Sequence, residues 1–345
     1  MSWYLEPASS LDEGATAQAL AYQLTLTKPP GSLGSLEDVA VKFCAFQNTL
    51  KPQLENIHIS VFAGDHGIAA NGVSAFPQAV TTEMVKNFAN GGAAISVLAR
   101  QLNAQFEVVN VGTLFEVDKH EQIVDARIAA GTKDFSEQKA MSAEQLQEAL
   151  LQGQKSAQRA AKNKSQLFIG GEMGIGNTTS ASALACARLN IAAIDMVGPG
   201  TGLAPDQLPF KAQMIEKALA LHTDQDALSQ LQNLGGFEIA GLVGAYISCA
   251  QQGIPVLVDG FISTAAALMA VAINPSIQPW LMYSHESAEP GHQKMLKALQ
   301  ANALLNIGMR LGEGSGAAVV VSLMQSAVAL HNEMATFSQA GVSEA

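Results

Sequence analysis

One acidic residue near the carboxyl end of the chain is set apart by its neighbours. Glu313 lies between Gly312 and Gly314, and the segment 315–330 that follows is mostly apolar. A carboxylate in such surroundings loses hydrating water, which raises its pKa and lets it accept a proton near neutral pH. Glycines on both sides allow backbone and ligand to approach closely. A solvated acid in a turn before a helix is the alternative, and the remaining motifs favour the first interpretation.

A second carboxylate lies in a similar glycine-rich turn. Glu172 belongs to GGEMGIGN (170–177), directly after the apolar run 167–169. Together with Glu313 it could perform acid–base chemistry or stabilise a cationic transition state. Taken alone, Glu172 is as readily explained as an acid that stabilises the N-terminus of a helix.

Two glycine-rich segments that precede helices are suited to binding a phosphomonoester. The first, 170–187, opens a helix that we expect Thr178 or Thr179 to cap, and the second, 197–211, opens a helix near Pro205. Free backbone N–H groups at a helix start attract phosphate, and a lysine adds positive charge. Each segment alone could be a plain tight turn, but two in one chain favour phosphate binding. The candidate ligand-binding residues here are Gly174, Gly176, Asn177, Thr178, Gly200, Gly202 and Lys211.

A third segment could wall a pocket for a flat aromatic ligand. The loop after GDHG (64–67) carries Ser74 and Phe76, and the helix that follows carries Met84. These three residues are predicted to bind substrate, although ordinary core packing explains Phe76 equally well.

Histidines near the predicted strand ends indicate hydrogen bonding rather than metal binding. Asp65, His66 and His285 have neither HExxH nor HxH spacing, so we predict no metal site and assign hydrogen-bonding roles to His66 and Ser284. The chain also lacks a well-placed GxGxxG fingerprint, a GxxxxGK[ST] loop and a paired-aspartate magnesium motif. We therefore predict no bound cofactor.

The elements that must position these residues follow an α/β pattern. Short apolar runs end in glycine-rich turns and precede helix-like segments, which predicts a mainly parallel, Rossmann-like sheet with flanking helices. Ligands bind at the carboxyl ends of such strands, where Asp65, His66, Glu172, Asp259 and Ser284 would lie. The predicted strand regions are 57–67, 106–112, 165–174, 254–260 and 280–287.

The two ends of the chain read as helical. Helices are predicted at 11–24, at 36–46 and after residue 315, and the last is too apolar for a helix with one exposed face. We expect residues 1–50 and 315–345 to form a small helical domain beside a large α/β catalytic domain, 51–314. The polar segment 118–165 is expected to be the most exposed.

Composition limits the classes of function. The chain has 48% hydrophobic and 14% charged residues, and its net charge of −11 with only 19 lysines and arginines argues against nucleic acid and anionic membrane surfaces. The apolar run 317–330 is too short to span a bilayer, so no membrane insertion is expected. Three separated cysteines predict buried free thiols, and the acidic, polar segment at residues 1–14 lacks the features of a secretory signal. We expect a cytoplasmic enzyme.

The motifs, taken in order over almost the whole chain, resemble the nicotinate-nucleotide–dimethylbenzimidazole phosphoribosyltransferase family, which prepares the lower ligand of cobalamin. The matching strings are TKPPGSLGSLE, GDHGI with GVSAFPQ, NGGAAISVLA, GEMGIGNTTSASAL, VGPGTGL, GGFEIAGLVGA, VLVDGFISTAAAL, SHESAEPGH and LNIGMRLGEGSGA.

This resemblance implies roles for particular residues. Glu313 would be the proton acceptor, Glu172 the second active-site carboxylate, and Gly174, Gly176 and Lys211 would hold the nucleotide phosphate. It also implies a Rossmann-like sheet, a small helical domain from both termini and a homodimer. The substrates would be nicotinate mononucleotide and a benzimidazole base. Two alternatives stay open on the residues alone, a nicotinamide-dependent oxidoreductase and a non-catalytic nucleotide-binding module.

Overall fold

The computed structural model describes residues 2–343, and its centre is one seven-stranded sheet. Every pair of neighbouring strands is parallel, and the strand order is β3-β2-β1-β4-β5-β6-β7. The strands are β1 Ile57–Gly64, β2 Gln105–Gly112, β3 Ile123–Asp125, β4 Leu167–Met173, β5 Val256–Val258, β6 Leu281–His285 and β7 Ala303–Leu305.

The strand order confirms the predicted Rossmann-like α/β fold. The direction of winding reverses between β1 and β4, which pair in register from Ile57 with Leu167 to Ala63 with Met173. Such a reversal leaves a crevice outside the carboxyl ends of the two strands, where ligands bind in open α/β sheets. All five predicted strands occur. The edge strands β3 and β7 were not predicted, because three partly exposed residues leave little hydrophobic signal.

Helices cover both faces of the sheet. The β1–β2 connection contains α3 and α4, and the β4–β5 connection contains α9; right-handed crossovers that run in opposite directions place them on opposite faces. The helices are α1 Glu13–Thr25, α2 Ser35–Gln47, α3 Ala79–Ala89, α4 Ala94–Gln101, α5 Ala143–Lys162, α6 Asn177–Leu189, α7 Leu208–Leu221, α8 Ala227–Leu234, α9 Phe237–Gln251, α10 Phe261–Ile273, α11 His292–Ala298, α12 Ser315–Glu333 and α13 Phe337–Ala340.

The segment 118–165, which was expected to be the most exposed, is partly buried in its helical part. One face of α5 is buried against α9, where a Cβ on Gly153 would lie only 2.0 Å from the carbonyl oxygen of Gly241. A glycine at this position lets the two helix backbones touch. The polar residues of α5 lie on its other face, which is why composition alone suggested exposure.

The two ends of the chain contact each other. Gln23 in α1 hydrogen-bonds His331 in α12 at 2.7 Å, and the Cys44 thiol in α2 lies 3.4 Å from the same imidazole. The α12 helix also packs on the sheet and on α4, so it joins the terminal helices to the α/β core. The division into 1–50 with 315–345 and 51–314 stays a prediction, and its outermost residues Met1, Glu344 and Ala345 lie outside the described part.

The prediction of buried free thiols is confirmed, since Cys44, Cys186 and Cys249 are all buried and form no disulfide bond in the described chain. Among residues 2–343, no helix combines the length and apolar character needed to cross a bilayer.

Candidate active site

A cleft of about 470 Å³ opens at the carboxyl ends of the central strands, at the predicted crevice. It gathers residues from the ends of β4, β5 and β6 and from the loops that follow them. Eight predicted site residues line it: Phe76, Met84, Glu172, Gly174, Asn177, Thr178, Gly200 and Glu313. The other five, Ser74, Gly176, Gly202, Lys211 and Ser284, do not line the cleft.

Glu313 is a buried acid with little hydrogen-bonding support. Its side chain is 6% exposed, and the only backbone donor near its carboxylate in the described chain is the Ile95 N–H at 3.4 Å from Oε2. Burial raises the pKa of Glu313, and the neighbouring Asp259 raises it further. The predicted desolvated carboxylate is therefore present, and its location in the cleft suits it to accept a proton from a bound ligand.

The turn that carries Glu313 presses directly on β4. A Cβ on Gly171 would lie 2.0 Å from the carbonyl oxygen of Glu313, so only glycine fits in the strand there. The Ser315 hydroxyl donates a 2.6 Å hydrogen bond to the Gly312 carbonyl and closes the turn. Close packing of the strand against the turn thus fixes the position of Glu313 in the cleft.

Glu172 shares the cleft with Glu313. It ends β4 with 5% of its surface exposed, and the Asn177 amide donates a hydrogen bond to its Oε2. Burial raises the pKa of Glu172 well above its ordinary value, and the negative charges of Asp259, Glu238 and Glu313 act in the same direction. The site therefore contains two carboxylates with a high affinity for protons.

The first glycine-rich loop wraps the start of α6. Gly176 is the N-cap residue, with φ of 97°, and no side chain caps the helix. The prediction that Thr178 or Thr179 caps it is wrong, because both threonines lie inside the first turn. Gly174 packs so tightly that a Cβ there would meet the Gly64 carbonyl oxygen at 2.2 Å. The Asn177 and Thr179 N–H groups already donate to the Gly174 and Gly176 carbonyls, both at 3.0 Å, so within the described chain the Thr178 N–H is the first-turn donor that stays available to a ligand in the cleft.

The second glycine-rich loop packs against the first, since a Cβ on Gly200 would lie 2.7 Å from the Thr178 hydroxyl oxygen. The Gly200 N–H donates to Glu289 at 3.0 Å, and Gly202 is exposed at the outer end of the loop. A 3-10 turn at Pro205–Gln207 then leads into α7, as predicted. Near the cleft mouth, the hydroxyls of Ser74 and Thr201 are 3.0 Å apart and link this loop to the segment before α3.

Lys211 lies behind the two loops rather than on the cleft surface. Its ammonium group donates to the Thr178 hydroxyl at 2.9 Å and to the Gly198 carbonyl at 3.1 Å, and only 1% of the residue is exposed. Burial lowers the pKa of Lys211 to about 8, and Glu289 partly opposes this effect. Lys211 can thus attract a phosphate through Thr178 and by its charge, and direct contact with a ligand stays a prediction.

An apolar wall faces the two acids. Phe76 is 51% exposed at the rim of the cleft. Val80 and Met84 lie on α3, and Leu311 lies on the turn before Glu313. Such a surface suits a flat heterocycle, which gains free energy by removing apolar area from water.

The predicted hydrogen-bonding histidine is buried below the glycine loop. His66 pairs with Glu238 at 2.6 Å, and both side chains are fully buried. Beside them the Thr81 hydroxyl donates to Asp65 at 2.6 Å and accepts from the Ile175 N–H at 3.1 Å, which ties α3 to the first loop.

Ser284 also hydrogen-bonds, at 3.1 Å to the Nδ1 atom of His285. Within residues 2–343 no group of three His, Cys, Asp or Glu side chains has a metal-binding arrangement.

Four ionisable residues of the cleft had no role assigned from sequence: Asp259, His285, Glu289 and Arg310. Asp259 follows β5 and precedes Gly260, so it is an acid next to a glycine at the end of a strand, as Glu172 is, and its signal was available. Arg310 is exposed and bonds the Gly200 carbonyl at 3.3 Å across the cleft. No local pattern marks it, because the contact joins two loops that are distant in sequence.

Comparisons with known proteins agree with this geometry. A family model described as phosphoribosyltransferase matches residues 8–342. The nicotinate-nucleotide–dimethylbenzimidazole phosphoribosyltransferase of Pseudomonas fluorescens Pf-5 is 55% identical over 99% of this chain and 98% of its own length. The enzyme of the same name from Xanthomonas axonopodis pv. citri is 54% identical over 99% of each chain. A crystal structure of CobT from Thermus thermophilus superposes with a TM-score of 0.93 at 39% identity, covering 96% of this chain and all of that one. Because both the sequence and the fold match over nearly the full length, the chain belongs to the nicotinate-nucleotide–dimethylbenzimidazole phosphoribosyltransferase family.

Proposed function

We propose that this enzyme transfers the phosphoribosyl group of nicotinate mononucleotide to 5,6-dimethylbenzimidazole. The products are α-ribazole 5′-phosphate and nicotinate, in the assembly of the nucleotide loop of cobalamin. The observation that carries the proposal is a desolvated acid, Glu313, in a cleft that is also lined by the apolar side chains of Phe76, Val80 and Met84 and by the first turn of α6. The family relationship supports the same substrates.

Glu313 acts as the proton acceptor. One ring nitrogen of the benzimidazole attacks C1′ of the ribose, and its other nitrogen must lose a proton. The raised pKa of Glu313 matches it to that proton, because an acceptor is most effective when its pKa lies near the working pH. The new N–C1′ bond forms as the bond to the pyridinium breaks, and the bonding electron pair leaves with nicotinate.

The chemistry of the leaving group determines what the other residues of the site must do. Nicotinate departs from a positively charged ring, so it needs little help from an acid, and C1′ becomes oxocarbenium-like. Glu172 lies in the same cleft and, when ionised, stabilises that positive charge. Attack from the opposite face of the ribose inverts the anomeric centre.

The remaining surfaces divide between the two substrates. The wall formed by Phe76, Val80, Met84 and Leu311 receives the benzimidazole, while the first turn of α6 and the loop at Gly200 receive the phosphate with support from Lys211. Holding both rings across one ribose supplies part of the rate, because orientation removes several kcal/mol, roughly, from the barrier.

Substitution of the proton acceptor tests the proposal. Glu313→Gln should preserve folding and the affinity for both substrates and lower kcat by about a hundredfold, the usual scale for a lost general base. Chromatography of the released nicotinate and of the riboside product measures it. Glu333→Gln, at the exposed far end of α12, is the control and should keep full turnover. Full turnover by Glu313→Gln would remove Glu313 from the mechanism.

The same assay separates the alternatives. A non-catalytic nucleotide-binding module would bind nicotinate mononucleotide without releasing nicotinate when the base is added. An oxidoreductase would bind a nicotinamide dinucleotide stoichiometrically. The family relationship supports neither, and absence of nicotinate release from the wild-type enzyme would overturn the transferase proposal.

We also propose that the enzyme is a cytoplasmic homodimer with the small helical domain and the catalytic domain described above. Three buried free thiols suit a reducing compartment. The contacts of α1 and α2 with α12 support the small domain. An apolar stripe on α1, formed by Ala17, Leu20, Ala21 and Leu24, is exposed in the single chain and offers a surface for a second copy.

A further inference from the structure

Asp259 lines the cleft and accepts hydrogen bonds from the backbone that directly follows Glu313. It directly follows β5, and only 1% of its surface is exposed. Its Oδ1 accepts the Ala317 N–H at 2.7 Å, and its Oδ2 accepts the Gly314 N–H at 3.2 Å. Both oxygens of the carboxylate are thus used on the backbone that begins α12.

The turn needs such support because its backbone is unusual. Gly312, Glu313 and Gly314 have φ values of 89°, 66° and 85°, so three successive residues lie in the left-handed region. Glycine adopts this conformation freely, but for glutamate it is strained and persists only where the surroundings enforce it. The hydrogen bonds to Asp259 enforce it on one side, and the Ser315 hydroxyl, which donates to Gly312, enforces it on the other.

Burial is the main cause of the raised pKa of Glu313, and polar groups from each neighbouring element surround it. The end of β4 contributes Glu172, the end of β5 contributes Asp259, and β6 contributes His285, whose Nδ1 is 3.7 Å from Asp259 Oδ1. Arg310, on the same loop as Glu313, is exposed and bonds the Gly200 carbonyl, and α4 contributes the backbone N–H of Ile95. Burial raises the pKa of Asp259, while His285 and the backbone N–H groups of Ala317, Gly260 and Gly314 oppose this effect and favour the ionised form, which places negative charge beside the proton acceptor.

From this geometry we propose that Asp259 is a positioning residue for the transfer reaction, which fixes the strained turn that carries Glu313 and places a second negative charge beside it. The inference rests on the proposed function, in which Glu313 accepts the proton of the incoming base. Asp259 itself acts through Glu313 and through the α12 backbone.

Two variants separate the effect of the charge of Asp259 from the effect of hydrogen bonds that stabilise the turn. Asp259→Asn keeps the size of the side chain and removes the charge, while Ser315→Ala removes a hydrogen bond from the same turn without changing any charge. We expect both variants to lower kcat by about ten- to a hundredfold, because a small displacement of a reacting group has effects of that order.

The pH profile distinguishes the two variants. The acidic limb of kcat/KM reports ionisation of Glu313, whose pKa Asp259 raises. Asp259→Asn should therefore move this limb to lower pH, and Ser315→Ala should leave it in place. Thermal unfolding checks that each variant is folded. If Asp259→Asn does not fold, NMR titration of wild-type enzyme carrying isotope-labelled aspartate and glutamate shows whether Asp259 is ionised over the pH range in which Glu313 titrates.

The outcomes are distinct. An unmoved acidic limb in folded Asp259→Asn, or wild-type kcat in that variant, overturns the role of Asp259. In the labelled enzyme, an Asp259 that is ionised throughout the titration of Glu313 supports its role as the neighbouring negative charge, and an Asp259 that is protonated over that range contradicts it. Failure of the proposed function looks different, since wild-type enzyme would then release no nicotinate at any pH.

Discussion

A methyl group added to one strand should displace the proton acceptor. In Gly171→Ala the new Cβ would lie 2.0 Å from the carbonyl oxygen of Glu313, whereas ordinary contact begins at 3.4 Å. The turn must therefore retreat by about 1.4 Å, since the strand is fixed by its pairing on both sides. A misplacement of roughly 1 Å can cost about a hundredfold in rate, so we expect kcat to fall by at least that factor. Overpacking should lower the free energy of unfolding by about 1–3 kcal/mol.

The neighbouring glycine is a matched control. A Cβ on Gly170 points to the opposite face of the sheet and would meet the side chains of Leu242 and Tyr246 at 2.5 and 2.9 Å. Gly170→Ala should lose similar stability in denaturant titrations but keep kcat within about threefold, because overpacking on that face leaves the turn in place. Nicotinate release at saturating substrates measures kcat. Equal losses of kcat in the two variants would refute the idea that β4 sets the position of Glu313.

Two further predictions concern the phosphate and the second copy of the chain. Lys211, with a pKa of about 8, loses its charge as the pH rises through that value, so KM for nicotinate mononucleotide should increase roughly tenfold between pH 7 and pH 9, while KM for the benzimidazole stays constant. A constant KM for the nucleotide would show that Lys211 does not attract the phosphate. Leu20→Glu puts a charge on the exposed stripe of α1 and should produce a monomer in sedimentation velocity, and an unchanged dimer would exclude the stripe as the interface.

Sequence reasoning identified the elements whose signals are local. The five central strands are short, mostly apolar runs, and burial on both faces is what produces such runs, so β1 and β4 could be placed to within a few residues. The glycines around Glu313 predicted its close packing for the same reason, because the backbone conformation they allow is a local property.

The burial depth of a side chain and the contacts between residues distant in sequence were not predictable from local patterns. Lys211 was assigned to the phosphate, yet spacing alone could not show that its ammonium group lies behind Thr178. Asp259 lay at a predicted strand end, but its grip on Gly314 joins residues 55 positions apart and depends on the order of strands in the sheet. The helix cap was misassigned because Gly176 itself takes the left-handed cap position, which propensities for threonine do not reveal.

The charge of the cleft itself indicates what kind of substrate completes it. Four acids line it, Glu172, Asp259, Glu289 and Glu313, while Arg310 is the one lysine or arginine among the lining residues of the described chain. Burial and the neighbouring acids raise the pKa of Glu172 well above its ordinary value, which favours its protonated form when no ligand is bound. A pyridinium ring brings the missing positive charge and favours the ionised form of Glu172.

Binding of nicotinate mononucleotide should therefore release up to roughly one proton per site, as measured by calorimetry in buffers of different ionisation enthalpy. The dihydropyridine analogue, whose ring is uncharged, and the Glu172→Gln variant should release less. Equal release with the charged and uncharged rings would mean that Glu172 is not the group that responds to the substrate, and that the carboxylate facing the oxocarbenium must be sought elsewhere in the cleft.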